Sequence, residues 1–542
     1  MSAPVGDPEP SSQRKLFGIA PIKWVFALEY MMQGLANPFQ GVTYQPFFSH
    51  FRHHYGLTEA ATQHLFAQSY LAWSFKPILG FVIDAYGKTR TVLVLLLAAG
   101  VVGYLLVPFI DVGPLVFFWA MFALSVCFAA TDVAVDRATV VTGAEEAEST
   151  GRSKATTVGL NQAICWLAIY GTSIVSALLG GFVAESMSMT TLLLCLSVVP
   201  LVVLLAVLRL PKDTAAPIRL TESLRGFWRG LNTGPILSVM LFYFIFNCQP
   251  AMGPLWNNYL LTDLRFSQSQ VGISESVGYG GYFLGVLLFA RYGVRWQERH
   301  GMRKLFRIYI CLGILMNLTQ YGLVDPWFSR NATVVQNLFI SDAATARLLY
   351  LCSYSFLQLT ATSMVAMSTF SLVGAVVPTT AAGSLFAGFM SVSNLAYSFS
   401  YASGAWLYEH GLEYGAVRDL QHLLFDIQGQ PGQPLSVSML ILAGSVAFLA
   451  SFLCVHVLPD RRETSRSDAV DEHYPGPERW SSLGPNFLKV VNVASLTLGS
   501  AVFIALYAAA NFELIAAALV TFFGTTLVRK TTLDAALRRQ TT

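Results

Sequence analysis

Fourteen apolar segments follow one another through the 542 residues, each close to the length that crosses a bilayer core of about 30 Å at 1.5 Å per helical residue. They run over 23–47, 60–83, 91–110, 114–141, 155–183 and 190–210, then over 235–261, 271–290, 305–323, 348–377, 381–407 and 435–458, and finally over 487–510 and 512–528. Lipid offers a peptide group no hydrogen-bond partner, so such runs are restricted to helices. Only 12% of the residues are charged, against roughly 25% in a soluble domain, and no polar linker divides the chain before about residue 211. The sequence therefore predicts an all-α polytopic membrane protein, six spans plus six and an additional terminal hairpin.

The cations support this division independently of hydropathy. Odd-numbered connections hold only Arg52, Arg265, Arg330, Arg347 and Arg418, while the opposite side, including both ends of the chain, carries roughly five times as many Lys and Arg. Both termini are accordingly expected in the cytoplasm, in the inner or plasma membrane. The predicted layout is an N-terminal tail (1–22), a six-helix half (23–210), a linker (211–234), a second six-helix half (235–458), another linker (459–484), and a hairpin with a basic tail (485–542). In the first linker Leu224, Phe227, Trp228 and Leu231 share one helical face, the pattern of an interfacial helix. The first 22 residues are polar with no cleavage-type apolar stretch, so the first span is expected to be retained. All seven cysteines lie in apolar runs without partners at ligand spacing and read as packing residues.

Ionisable groups inside the runs are the expensive residues, and a charge in hydrocarbon is a functional candidate by default. Lys76, followed by Pro77, interrupts the second run. The fourth holds Asp132 and Asp136, one helical turn apart on one face, with Arg137 beside them. Pairing of Lys76 with this carboxylate pair, Asp136 being placed at its depth, would offset the cost of burial. Further polar groups within spans are Glu29, Gln33, Gln162, Asn247, Glu275, Gln358 and Asn394. With Trp166 and Tyr397 they form a candidate cavity for a flat, hydrogen-bonding solute or a proton. Gly80, Asp84, Gly87, Lys88 and Arg90 cluster in the turn after the second run, where glycines permit close approach and the charges can latch neighbouring helices.

No nucleophile and base stand in a catalytic motif, and there is no phosphate-binding loop and no metal-ligand spacing. His50, His53 and His54 read as a solvated cluster. No enzyme, cofactor, metal, ATP or nucleic-acid partner is expected; the expected partners are lipid, a small solute and protons.

Several segments together resemble the folate/biopterin transporter family, a branch of the major facilitator superfamily, over about residues 28–458. They are YMMQGL in span one, YLAWSFKPILGFVID in span two, ATDVAVDRATVV in span four, GLNQAICWLAIYGTSIVSALLGG in span five, LGVLLFARYG with RKLF after span eight, and GSLFAGFMSVSNLA in span eleven. The turn from Gly80 to Arg90 is similar to the superfamily's G-x-x-x-D-x-x-G-[KR]-x-[KR] loop. The turn DAYGKTR is more compact than the family's usual connection, and the hairpin after Arg479 is an addition. The resemblance implies two pseudo-symmetric six-helix halves about a midplane site, alternating access, proton coupling and a pterin, folate or other aromatic or anionic cargo. It also implies that Lys76, Asp132 and Asp136 occupy the family's W-S-x-K-P and D-V-x-V-D signatures, and Trp166 its C-W pair. The same fold would serve a muropeptide, acetyl-CoA or siderophore permease or exporter. A transporter-shaped receptor or assembly partner, docking through the terminal hairpin, is the reading from another class.

Overall fold

The first apolar run, expected as one span, is two helices. The computed structural model describes residues 20–86, 88–151, 154–211, 234–293, 296, 299–324, 343–376 and 382–458, which contain helices and no strands. The linker helix expected around Leu224 and the hairpin of 485–542 lie outside these residues. Helix α1 (Pro21–Ala36) stops because Asn37 precedes Pro38 and takes an extended conformation, as residues before proline do. The carbonyls freed at Asn37 and Pro38 accept the Thr43 hydroxyl at 2.9 and 2.7 Å, and the chain restarts as α2 (Tyr44–Ser49). The second run is also broken, into α3 (Glu59–Ser69), α4 (Leu71–Ser74) and α5 (Lys76–Tyr86). Pro77 sits in the first turn of α5, where its missing N–H costs nothing. Then come α6 (Thr89–Leu106), α7 (Pro114–Thr150), α8 (Lys154–Ser186), and the consecutive pieces α9 (Met189–Leu196) and α10 (Val198–Val207). Helix α7 outruns its predicted span. Its last turns leave the apolar zone, Glu146 pairs with Lys23 at 2.7 Å, and Gly151 ends it in the left-handed conformation.

The second half repeats the opening break. Helix α11 (Gly234–Asn247) ends ahead of Pro250, and α12 (Gly253–Thr262) resumes the seventh crossing. They are followed by α13 (Gln268–Leu288), α14 (Met302–Thr319), α15 (Ala343–Val376) and α16 (Ala382–His410). A helix unmarked in the sequence, α17 (Gly415–Phe425), precedes the last described crossing, α18 (Val437–Cys454). Among the described residues six helices are long and apolar enough to cross a membrane unaided: Thr89–Phe109, Pro114–Thr150, Asn161–Ser186, Met189–Val207, Gln268–Gly293 and Ala344–Thr369. Inside the bundle Phe26, Phe47 and Phe117 in the first half and Phe242, Phe306 and Phe389 in the second are fully buried. Leu95, Val102, Leu105, Leu201 and Leu205 face outward, where lipid would cover them. Cys195 and Cys311 also face outward, so not every cysteine is a core residue.

The halves meet chiefly along α8 and α13, and through α16 against the pieces of the second span. Small residues make the first contact possible. A Cβ on Gly181 would stand 3.1 Å from the Gly272 Cα, and one on Gly272 would stand 2.7 Å from the Ala177 carbonyl oxygen. The backbones thus touch directly, as in small-residue packing of membrane helices. Polar bonds join the halves toward the cation-poor end. Gln63 of α3 is wholly buried; it donates to the carbonyls of Ala251 and Tyr401 at 2.8 and 2.9 Å and accepts the Leu255 N–H at 3.0 Å. Glu185 accepts the Ser269 N–H at 2.9 Å.

Gly272→Leu should push α8 from α13 and lower stability by about 1–3 kcal/mol. Gly280→Ala, on the same helix with nothing within 4 Å of the added carbon, should be neutral or stabilise by about 0.5–1 kcal/mol. Thermal unfolding in detergent measures both, and equal effects would contradict the close contact.

Candidate functional site

Two polar assemblies occupy the bundle, one within the first half and one between the halves. The first is built on the break in the second span, which sets Lys76 at the start of α5. Its ammonium pairs with Asp132 of α7 and lies 5.0 Å from the Trp73 ring centroid. Gln33 of α1 donates to the other Asp132 oxygen at 2.8 Å and to Glu29 at 2.6 Å, and the Thr131 hydroxyl donates to the same Glu29 oxygen at 3.0 Å. Lys76, Asp132 and Glu29 are 4%, 2% and 0% exposed, so these charges are out of water. Glu29 Oε2 has no hydrogen-bond partner.

Asp136 is not the partner of Lys76. The ion pair falls at Asp132, a full turn away along α7, and Asp136 instead accepts the Tyr30 hydroxyl at 2.8 Å and the Gln162 amide at 3.0 Å. Arg137 is rotated off this face and donates to the Thr89 hydroxyl at 3.0 Å. In the turn that follows, Arg90 donates to the Leu208 carbonyl at 2.9 Å and Lys88 lies 6.0 Å from the Tyr86 ring centroid. Gly80 faces Val133, with room for ordinary contact. Gly87 and the Asp84 side chain fall outside the described residues.

The second assembly is a cavity of about 710 Å³ lined from both halves. Of the residues expected to line it, Asn247, Glu275, Gln358, Asn394 and Tyr397 do so. Glu29, Gln33, Gln162 and Trp166 are not among its lining residues; Glu29, Gln33 and Gln162 belong to the first assembly, and Trp166 packs on it. Helices α1 and α8 turn Glu29, Gln33 and Gln162 toward α7. Glu275 is the only Asp, Glu, Lys, Arg or His among the described residues of the lining, and Gln45 of the opposite half donates to it at 3.0 Å. The amide nitrogens of Asn247 and Asn394 donate to carbonyls one turn back, Tyr243 at 2.7 Å and Met390 at 2.8 Å. Each therefore has its carbonyl oxygen left to offer a ligand.

Rings connect the assemblies. Tyr30 meets Trp166 edge-on at 6.0 Å, Trp166 stacks on Tyr170 at 5.7 Å, and Tyr170 stacks across the halves on Tyr282 at 4.0 Å, in the cavity wall. Gln45, Tyr70, Asn257 and Tyr282 were not marked in the sequence. The signal for Gln45 and Asn257 was there: each is a polar residue just beyond a proline-broken point in an apolar run.

The histidine cluster is only partly solvated. His53 and His54 are exposed, but His50 contacts Asp111 at 3.1 Å and stacks on His54 at 4.5 Å. Burial pulls the His50 pKa down against the opposing pull of Asp111. Ligand-capable atoms of His50, His54 and Asp111 lie within 4.8 Å of one another.

The BT1 family profile matches residues 33–475. The Arabidopsis thaliana protein named "Probable folate-biopterin transporter 4" is 28% identical over 198 residues, a match that spans 36% of this chain and only 38% of that protein. Among solved structures, the nucleoside transporter NupG superposes with a TM-score of 0.53 at 13% identity, covering 81% of this chain and 98% of that one. A D-xylose-proton symporter gives 0.54 at 14% identity over 82% and 98%. At such identities the likeness is one of fold alone. The chain therefore belongs to the BT1 family, a family of integral membrane transporters rather than enzymes.

Proposed function

We propose that the protein carries a small, flat, largely uncharged organic solute of the pterin kind by alternating access, coupled to proton movement through the first-half assembly. The observation that supports this best is an imbalance of charge. Three carboxylates, Glu29 and Asp132 buried and Asp136 partly so, stand with one ammonium, Lys76. Unpaired buried charge is so costly that the assembly is expected to hold protons, and the free Oε2 of Glu29 is a seat for one. Lys76, Asp132 and Asp136 form the charge network that rearranges during the cycle. Arg137 and the turn from Gly80 to Arg90 brace the cation-rich end; its excess of Lys and Arg supports a cytoplasmic position for that end and for both termini.

The cavity bears on the cargo. A single carboxylate and no cation among the described lining residues suit an uncharged ring system with hydrogen-bond donors. They count against the polyanions, acetyl-CoA included, that other carriers of this fold could take, and against the anionic cargo the sequence left open. The name of the Arabidopsis relative points to the same ring system.

Purified protein in liposomes should accumulate pterin when a pH gradient is imposed; no movement of pterin under any gradient would end this reading. Lys76→Gln and Asp132→Asn should each cost about 3–5 kcal/mol by stranding the partner charge. The double variant should recover most of that stability in thermal unfolding but not transport. Glu29→Gln keeps the shape of the side chain and should fold normally while its uptake loses most of its dependence on pH. An unaltered pH profile would remove Glu29 as the proton seat.

A further inference from the structure

The cavity contains buried polar atoms that the protein itself leaves unsatisfied. Gln45 and Asn257 are 1% and 5% exposed; Gln45 Oε1 has no hydrogen-bond partner, and Asn257 Nδ2, which faces the Glu275 carboxylate, has none of good geometry. Both line the cavity, with the Glu275 carboxylate. Orphaned groups of this kind are rare in folded interiors, because each forfeits its hydration without replacement. Two of the three residues arrive by equivalent routes. Gln45 stands on α2, just past the break in the first span, and Asn257 on α12, just past the break in the seventh. Such interrupted helices are where carriers of this architecture present polar groups at the membrane midplane.

Together the three residues offer two kinds of acceptor and one donor. A carboxylate accepts two parallel N–H groups most strongly, and Glu275 offers both its oxygens to a ligand once the Gln45 amide turns away. Gln45 Oε1 is a further acceptor, and Asn257 Nδ2 is a donor. The complementary ligand edge carries an exocyclic amine, an adjacent ring N–H and a carbonyl. Tyrosines flank the position: Tyr70 lies 5.7 Å from Tyr397 and 5.4 Å from Tyr401, and all three line the cavity. Their faces suit a flat ring.

We propose that Gln45, Asn257 and Glu275 form a subsite that reads the amino-lactam edge common to pterins and guanine. The inference rests on the transport reading above and names the part of the solute that is recognised. It also gives the ligand a mechanical effect. At present Gln45 Nε2 donates to Glu275 and so ties the first half to the second. A ligand that takes the carboxylate replaces this bond with one to itself, and binding thereby alters the joint about which the halves move.

The test uses the full-length protein in detergent, with binding of pterin, guanine, lumazine and hypoxanthine measured by calorimetry. Lumazine keeps the pteridine ring but has a carbonyl in place of the amine, and hypoxanthine is guanine without it. Pterin and guanine should bind at least tenfold more tightly than lumazine and hypoxanthine. Glu275→Gln should bring pterin down to the lumazine level while leaving lumazine nearly unchanged, and Asn257→Asp, which replaces the donor with an acceptor, should weaken pterin and guanine together. Size-exclusion profiles matching wild type establish that each variant is folded; if one fails to fold, the wild-type ranking of the four ligands still decides. Equal binding of pterin and lumazine by the wild type, or equal weakening of both by Glu275→Gln, overturns the subsite. Should pterin then still accumulate in liposomes, the transport reading survives that loss. If no pteridine or purine either binds or moves, both are wrong.

Discussion

A lysine held in the apolar interior of a membrane protein is tolerable only with a counter-charge at its own depth, and the position of Lys76 depends on this requirement. The second span is broken immediately before it, Pro77 follows it in the first turn of α5, and Asp132 meets it from α7. Because Gln33 binds both Asp132 and Glu29, the pair is joined to α1 as well. Three crossings of the first half are thus held by one hydrogen-bonded assembly, which is worth more for registry than for raw stability, since desolvation consumes much of what a buried ion pair gains.

The joint between the halves has a different character. Along α8 and α13 it is steric, with backbones brought together by Gly181 and Gly272. Toward the cation-poor end it is polar, with Gln63 spanning from α3 to the broken seventh crossing and to α16. Neutral hydrogen bonds net only about 0.5–1.5 kcal/mol each. They can therefore be exchanged with water, whereas a broad apolar contact in their place would resist separation. On the proposed reading, that difference is what lets one end open while the other holds.

Much of this architecture was legible in the sequence. Run lengths gave the all-helical membrane class, because they follow from the bilayer rather than from tertiary detail. The breaks in spans one, two and seven were less visible, because hydropathy averages over a proline; yet Pro38, Pro77 and Pro250 mark all three. Which carboxylate meets Lys76 was not decidable, since the relative sliding of two helices by one turn is fixed by packing. The division of the candidate residues was hidden for the same reason. Glu29 and Glu275 look alike in sequence, but one faces α7 and the other a cavity between halves. Helix α17 went unmarked because it lies among polar connecting residues without a long apolar run.

Separating the charged assembly from the cavity has a consequence for coupling. On the proposed reading, a proton seat inside one half cannot be neutralised directly by a solute bound between halves, so the two must communicate through structure. Two physical links exist. The rings from Tyr30 through Trp166 and Tyr170 to Tyr282 run from Asp136 to the cavity wall and cross the α8–α13 joint on the way. Helix α1 carries Glu29, Tyr30 and Gln33 and continues, past the break at Pro38, into α2 and Gln45. A change in proton occupancy that shifts α1 by a fraction of a turn would move Gln45 relative to Glu275, and a ligand on Glu275 would act back along the same helix. Such coupling is reciprocal by linkage, and it needs no charge to travel between the sites, only a broken helix whose two pieces serve different chemistry.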